Sequence, residues 1–328
     1  TIDSYDEING ESTTGMTLAA GATINVDASE VIEMLDDEIA GRLTISDQSI
    51  TVTGEISVFD ARELSETTTG LLTATILDTT IDQLEVLPFT DNALTIRLTA
   101  PSVDADRLSD IGVSTSLSID ASEVTEITGE FGFIYHVYQG MKGQFLGIED
   151  ANLAVTGDLD VFRANLLDAG TTTGTIAGTI TSETVEALKT LTGVNAYNIT
   201  INAADATSTT AADLNEINAL TSDTVNLINV TALAASSLSD LETLGAAITN
   251  NEFSNTTGLT TLAISDTTID ATALASAIDS LDEINGESTT GMTLAAGATI
   301  NVDASEVIEM LDDEIAGRLT ISDQAITV

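Results

Sequence analysis

Residues 1–52 return almost unchanged as residues 277–328. The alignment needs no gap, and only Thr1/Ala277, Tyr5/Leu281 and Ser49/Ala325 differ. Within it, the 34 residues GMTLAAGATINVDASEVIEMLDDEIAGRLTISDQ are identical in both copies. Self-similarity at a long fixed period is the mark of a tandem array. The chain therefore reads as one repeat unit, residues 1–276, followed by the start of the next near-identical unit, residues 277–328. The expectation is a window cut from a longer array.

A shorter motif recurs inside the unit. It reads VDASEV at 26–31, FDAREL at 59–64, IDQLEV at 81–86, VDADRL at 103–108, IDASEV at 119–124 and IDATAL at 269–274. Asp27, Asp60, Asp82, Asp104 and Asp120 lie 33, 22, 22 and 16 residues apart, mostly within the range of solenoid repeats. An Asp with Glu three residues later resembles a capping box, in which the Asp accepts from the first free N–H groups and the Glu reaches back. Asp27, Asp60, Asp82 and Asp120 are thus predicted at helix N-termini. After Asp27 the apolar residues Val31, Met34, Leu35 and Ile39 follow helical spacing, and Gly41 ends the run. RLTIS at 42–46, SITVT at 49–53 and EISVF at 55–59 read as short strands. One such coil cannot bury its own apolar face. The predicted fold is therefore an α/β solenoid: stacked coils of short parallel β-strands with a short helix along one side, forming an elongated repeat rod.

Composition narrows the partners. Lys and Arg number 8 against 53 Asp and Glu, a net charge of −45. Nucleic acid, which needs clustered cations, is excluded as a partner, and anionic membrane surfaces are disfavoured. No apolar run is long enough to span a membrane. Hydrophobic residues make up 43% of the chain, too many for an acidic disordered segment. Aromatics are only 3%, which suits a thin core repeated along an axis better than one large core. The absence of Cys rules out disulfides and zinc–thiolate sites.

One stretch departs from the pattern: GEFGFIYHVYQGMKGQFLGIED at 129–150. It carries Phe131, Phe133, Tyr135, Tyr138 and Phe145, the single histidine His136, and Lys142. Its alternation predicts a hairpin strand with QGMKG as the turn, an insertion that projects from the rod or covers a coil edge. Two readings stand: a hairpin packing its own aromatics on the coils, or a lateral contact to a neighbouring rod or a surface glycan.

DEINGES at 6–12, repeated at 282–288, gathers Asp6, Glu7, Asn9 and Glu11, and again Asp282, Glu283, Asn285 and Glu287, around a glycine. Oxygen ligands on a tight loop suit calcium, the one cofactor the sequence suggests. The plain alternative is an Asn-Gly turn with solvated acids. The acids of LDDEIAG at 35–41 read as one exposed helix face. Catalysis has little support, because Arg42, Arg62, Arg97, Arg107 and Arg163 are scattered singly among abundant carboxylates. The chain is not expected to be an enzyme.

The Thr/Ser/Ala/Asp-rich coils, the phrase TLAISDTTIDATALASAIDSLDEING at 261–286 and the near-identical long repeat resemble giant tandem-repeat cell-surface proteins of marine bacteria, of the picocyanobacterial type. The resemblance implies secretion, great length and a role at the cell surface in adhesion, protection or motility. The expected function is a structural module of a very long extracellular fibre or filament, partnered by further copies of itself. The alternatives are the stalk of a calcium-dependent adhesin and a polysaccharide-active β-helix enzyme.

Overall fold

Thr23–Asp27 forms a strand in which Ile24 and Val26 turn to one face and Thr23, Asn25 and Asp27 to the other. Its neighbour is the next long strand along the chain, Ser49–Ile56, followed by Leu72–Ile76 and Ala93–Thr95. Every described strand pair is parallel, so each step must cross over, and most crossings carry a helix. Val58–Thr67 crosses from Ser49–Ile56 to Leu72–Ile76, and Ile81–Leu84 from there to Ala93–Thr95. Like residues meet along the ladders: Ile24 lies opposite Ile50, and Ile50 opposite Leu72.

The computed structural model describes residues 15–88, 91–285 and 291–328. The protein is α/β, with several all-parallel sheets and 11 α-helices among the described residues. It divides into two compact units, Thr1–Ala154 with Gly170–Gly174, and Val155–Ala169 with Thr175–Val328. The first also holds the pairs Ser102–Asp104 with Glu126–Glu130 and Ile119–Asp120 with Phe145–Leu146. In the second, Ile176–Ile180, Ala196–Thr200, Val225–Asn226 and Phe253–Ser254 pair in chain order. Two three-stranded sheets follow, Thr261–Ala263 with Gly291–Thr293 and Leu319–Thr320, and Thr268–Asp270 with Thr299–Asn301 and Ala325–Thr327. The expectation of short parallel strands and short helices is met.

The helices bury narrow stripes. Val58, Ala61 and Leu64 are buried on one, Ala105, Leu108 and Ile111 on another, Val161, Ala164 and Leu167 on a third, and Ala211, Leu214 and Ile217 on a fourth. Each is an i, i+3, i+6 row of small or aliphatic residues, which is why so few aromatics suffice. Val31–Ile39 buries Val31, Met34 and Leu35 as its spacing predicts, while Ile39 points to solvent. Gly41 ends it at φ +71°.

SITVT and the EI that follows Gly54 are one strand, not two. Gly54, at φ +96°, takes up a register shift between Thr51 and Glu55 and lets Ser49–Ile56 run on as a bulged strand. Val58 and Phe59 then begin a helix rather than end a strand, because Ser57 caps it.

The caps also differ from the motif. Asp27 accepts from Ser29 N–H at 3.0 Å and starts a 3-10 turn that runs into Val31–Ile39. Asp60 does not cap. It is the third residue of its helix and reaches back to the Ser57 N–H, 3.3 Å away, closing a box with the Ser57 hydroxyl. Asp82 is the second residue of Ile81–Leu84, behind Thr80. Asp120 accepts from Ser122 N–H at 3.0 Å but no helix follows. There the Glu123 carboxylate is drawn to Arg97, and Thr125 and Glu126 N–H donate to Pro101 O, which pulls the chain into the next strand. Asp104 and Asp270 do cap, accepting from Asp106 N–H and Thr272 N–H at 2.9 and 3.0 Å. Asp104→Ala should therefore cost about 1 kcal/mol in urea unfolding. Asp82→Ala should cost clearly less, since Thr80 and the Arg107–Glu85 pair both survive it; equal losses would put the cap at the wrong residue.

Candidate assembly surfaces

The aromatic segment is helical rather than a hairpin. Phe131–Tyr135 is an α-helix that widens into a π-turn over His136–Gly140, closed by Met141 N–H donating to His136 O at 2.9 Å. Its period is read from what is buried: Ile134, Val137 and Tyr138 stand at i, i+3 and i+4 and face inward. The alternation in FGFIYHVY is the same apolar content read with the wrong period. The Tyr138 hydroxyl donates to Ile148 O at 2.6 Å, and burial pushes its pKa well up. Phe145 is buried in a strand paired with Ile119. Tyr138 and Phe145 are thus core residues and are not available for lateral contact. Phe131 and Tyr135 stack with ring centroids 5.5 Å apart and are half-buried. Phe133, His136 and Lys142 are exposed.

Asp6, Glu7, Asn9, Glu11 and Glu287 lie outside the described residues. Asp282, Glu283 and Asn285 fall on the last turn of the helix Ala271–Asn285, not on a loop. Among the described residues no group of three His, Cys, Asp or Glu could hold a metal. Asp37, in the LDDEIAG run, is buried rather than exposed and accepts from Arg42 Nε at 2.7 Å. Asp313 and Arg318 repeat the pair in the second copy.

Three of the other cations join segments about one crossover apart. Arg97 lies 2.6 Å from Glu123 and 3.3 Å from Asp78. Arg107 pairs with Asp82 and with Glu85. Lys189 lies 2.9 Å from Asp213 and 3.3 Å from Glu216 on the following helix. Burial works against the Asp213 charge, but Lys189 and the Thr210 hydrogen bonds outweigh it and hold its pKa below the ordinary 3.8. A carboxyl depressed in the folded state stabilises above its unfolded pKa and stops doing so as pH falls through the folded one. Asp213→Asn should therefore lower the urea midpoint at pH 7. The gap to the unchanged chain should begin to close below about pH 4 and vanish in stronger acid. A gap that persists or widens in acid would remove the charge from the account.

A set of buried polar residues escaped the sequence reading. Asn92 Oδ1 accepts from Leu72 N–H and Asn195 Oδ1 from Ile176 N–H, both at 2.9 Å. Thr115 Oγ1 donates to Leu94 O at 2.8 Å and Thr221 Oγ1 to Tyr197 O at 2.6 Å. Ser116 and Ser222 N–H donate to Asn92 O and Asn195 O, each at 2.8 Å. The two series are one device used twice. Its signal is a weak internal repeat about a hundred residues long, TGEISVFDARELSETTTG at 53–70 against TGDLDVFRANLLDAGTTTG at 156–174. In a Thr-rich chain these sparse letters are easily passed over.

The strands and the α-helix of the long duplication recur in both copies, while the 3-10 turn Ala28–Glu30 of the first is a plain turn at 304–306 in the second. Thr23–Asp27, Val31–Ile39, Leu43–Thr44 and Ser49–Ile56 reappear as Thr299–Asn301, Val307–Ile315, Leu319–Thr320 and Ala325–Thr327. Gln48 Nε2 donates to Ala19 O and Gln324 Nε2 to Ala295 O, both at 3.0 Å. No protein-family model matches the chain, and no curated protein matches it. The molecule's own two copies are then the comparison at hand, and they differ in what covers them. Ile50 is fully buried under Leu72, whereas its counterpart Ile326 is 45% exposed. Ile300 is fully buried beside Ile269, whereas its counterpart Ile24 is only half-buried.

Proposed function

We propose that this chain is a structural repeat module of a very long extracellular surface fibre or filament, with no catalytic role. The observation that carries the reading is the duplicated segment, which takes the same order of strands and helix in both copies and repeats the Gln48–Ala19 hydrogen bond as Gln324–Ala295. The finer architecture belongs to the same proposal. Successive strand–helix steps stack as coils of an α/β solenoid, units 1–276 follow one another along it, and the result is an elongated rod. The parallel ladders between consecutive strands, and the buried Asn and Thr side chains that bond the backbone of neighbouring strands, support it. Stiffness would come from repeating such bonds at every step. Further copies of the module are the proposed partners, with exposed Phe133, His136 and Lys142 as a lateral contact.

Concatenated chains test this. Chains of one, two and three 276-residue units should show maximum dimensions in small-angle scattering that grow by equal increments per unit. Growth that slows as the cube root of mass, the behaviour of a compact particle, would end the reading.

A further inference from the structure

Seven of the eight Lys and Arg residues each pair with a carboxylate of their own chain. The eighth, Lys142, is exposed and has no carboxylate partner among the described residues. It lines an open cleft of about 570 Å³ together with His136, Gly140, Gly143 and Gln144. No Asp or Glu among the described residues lines this cleft, although the chain holds 53 of them. Its walls are fixed. Gln144 Nε2 donates to Leu117 O and the Ser118 hydroxyl to Gly143 O, both at 2.8 Å. The His136 ring lies so close over Gly140 that a methyl group there would sit 2.5 Å from Nδ1. Phe133, 40% exposed, stands three residues before His136 on the same side of the helix.

A surface of the opposite kind recurs on the duplicated helix. Val31–Ile39 turns Ile32 and Asp36, four residues apart, to solvent. Ile32 is 63% exposed with Val58–Thr67 packed alongside its helix. Its counterpart Ile308 is 71% exposed with Ala271–Asn285 packed alongside, and Asp312, the counterpart of Asp36, is exposed as well. Neither neighbouring helix covers the pair.

We propose that the Lys142 cleft of one copy docks the Ile32–Asp36 face of Val31–Ile39 from a second copy. The Asp36 carboxylate meets the Lys142 ammonium, and Ile32 lies against Phe133. Charge complementarity selects this partner: the cleft is free of acid and holds a cation not spent within its own chain, and the helix offers a carboxylate beside an apolar residue. Cleft and helix each occur once in residues 1–276, so chains lying side by side make one such contact per unit. The two surfaces differ, so the contact is heterologous and can add copies without closing. At −45 per chain it forms where salt screens the remaining charge. The proposal rests on the structural role above and specifies which surfaces hold copies together laterally.

In such salt the unchanged chain should form oligomers whose size in sedimentation velocity grows with concentration. Lys142→Asp should weaken that association at least about tenfold, because it turns an attraction into a repulsion. Asp36→Lys and Asp312→Lys, added to Lys142→Asp in one chain, should restore it, since every copy then carries the reversed pair. All three positions are exposed, so circular dichroism should report one fold for all these chains. An unchanged chain that is monomeric at every concentration overturns the proposal. So does a Lys142→Asp chain that associates as strongly as the unchanged one, or a reversed pair that stays apart. Each of these failures leaves the length increments of a single concatenated chain unaffected, so the two ideas fail separately.

Discussion

Gly70→Ala should destabilise the protein by about 3 kcal/mol. A methyl group at Gly70 would fall into the Gln48 carbonyl oxygen and sit 2.5 Å from the Gln48 carbonyl carbon. Backbone, unlike a side-chain tip, cannot swing aside. This backbone is also pinned: Gln48 Oε1 accepts from Ser46 N–H at 2.8 Å, Thr69 N–H donates to Ser46 O at 2.8 Å, and Thr68 Oγ1 donates to Gln48 O at 2.6 Å. Retreat of the turn would break those bonds, and advance of Gly70 would pull Leu72 off Asn92. Gly132→Ala is the control, because a methyl there meets nothing within 4 Å and lies in a helix that Ala favours. Urea unfolding followed by circular dichroism reads both. If the two glycines behave alike, close approach of the two turns is not what fixes Gly70. Gly174 closes the same TTTG turn against Ala151 O, and it should behave as Gly70 does.

Asn195→Ala should cost about 2–3 kcal/mol. Its side chain is buried and used at both ends, accepting from Ile176 N–H and donating to Asp168 Oδ1, each at 2.9 Å. Truncation leaves the buried Ile176 N–H without its acceptor, and an orphaned donor costs more than an ordinary bond gains. Asn198→Ala provides the scale. Its amide donates to the Thr224 hydroxyl at 3.1 Å from a half-buried position, so its loss should stay below about 1 kcal/mol. Equal losses at the two positions would mean that the buried ladder adds nothing beyond a surface hydrogen bond.

Much of the local structure was legible. The helix after Asp27, its buried residues and its end at Gly41 follow from apolar spacing and one glycine, because those signals act within a single turn of chain. The aromatic segment was misread because six apolar residues in a run of eight satisfy period 2 and period 3.6 about equally well, and only the packing of Ile134, Val137 and Tyr138 chooses between them. The buried Asn92 and Asn195 were invisible for another reason. An Asn is polar in any sequence, and it becomes a core residue only when a strand some twenty residues away offers it an N–H.

The pentapeptide DTTID shows where local information stops. It occurs at 78–82 and at 266–270. In the first, Ile81 opens a helix behind Thr80, helped by Gln83, whose side chain accepts from Thr80 N–H at 3.4 Å. In the second, Ala271 replaces that Gln, and Thr268–Asp270 is a strand lying against Thr299–Asn301, with the helix starting after Asp270. Sequence alone determined that Asp27 would meet a free N–H group where a helix begins, and that two copies of 34 identical residues would form the same order of strands and helix. Only the tertiary structure decided which residues of those copies are core. Ile50 is buried and Ile326 is not, Ile300 is buried and Ile24 only half so, because burial depends on the neighbouring segment as much as on the residue itself.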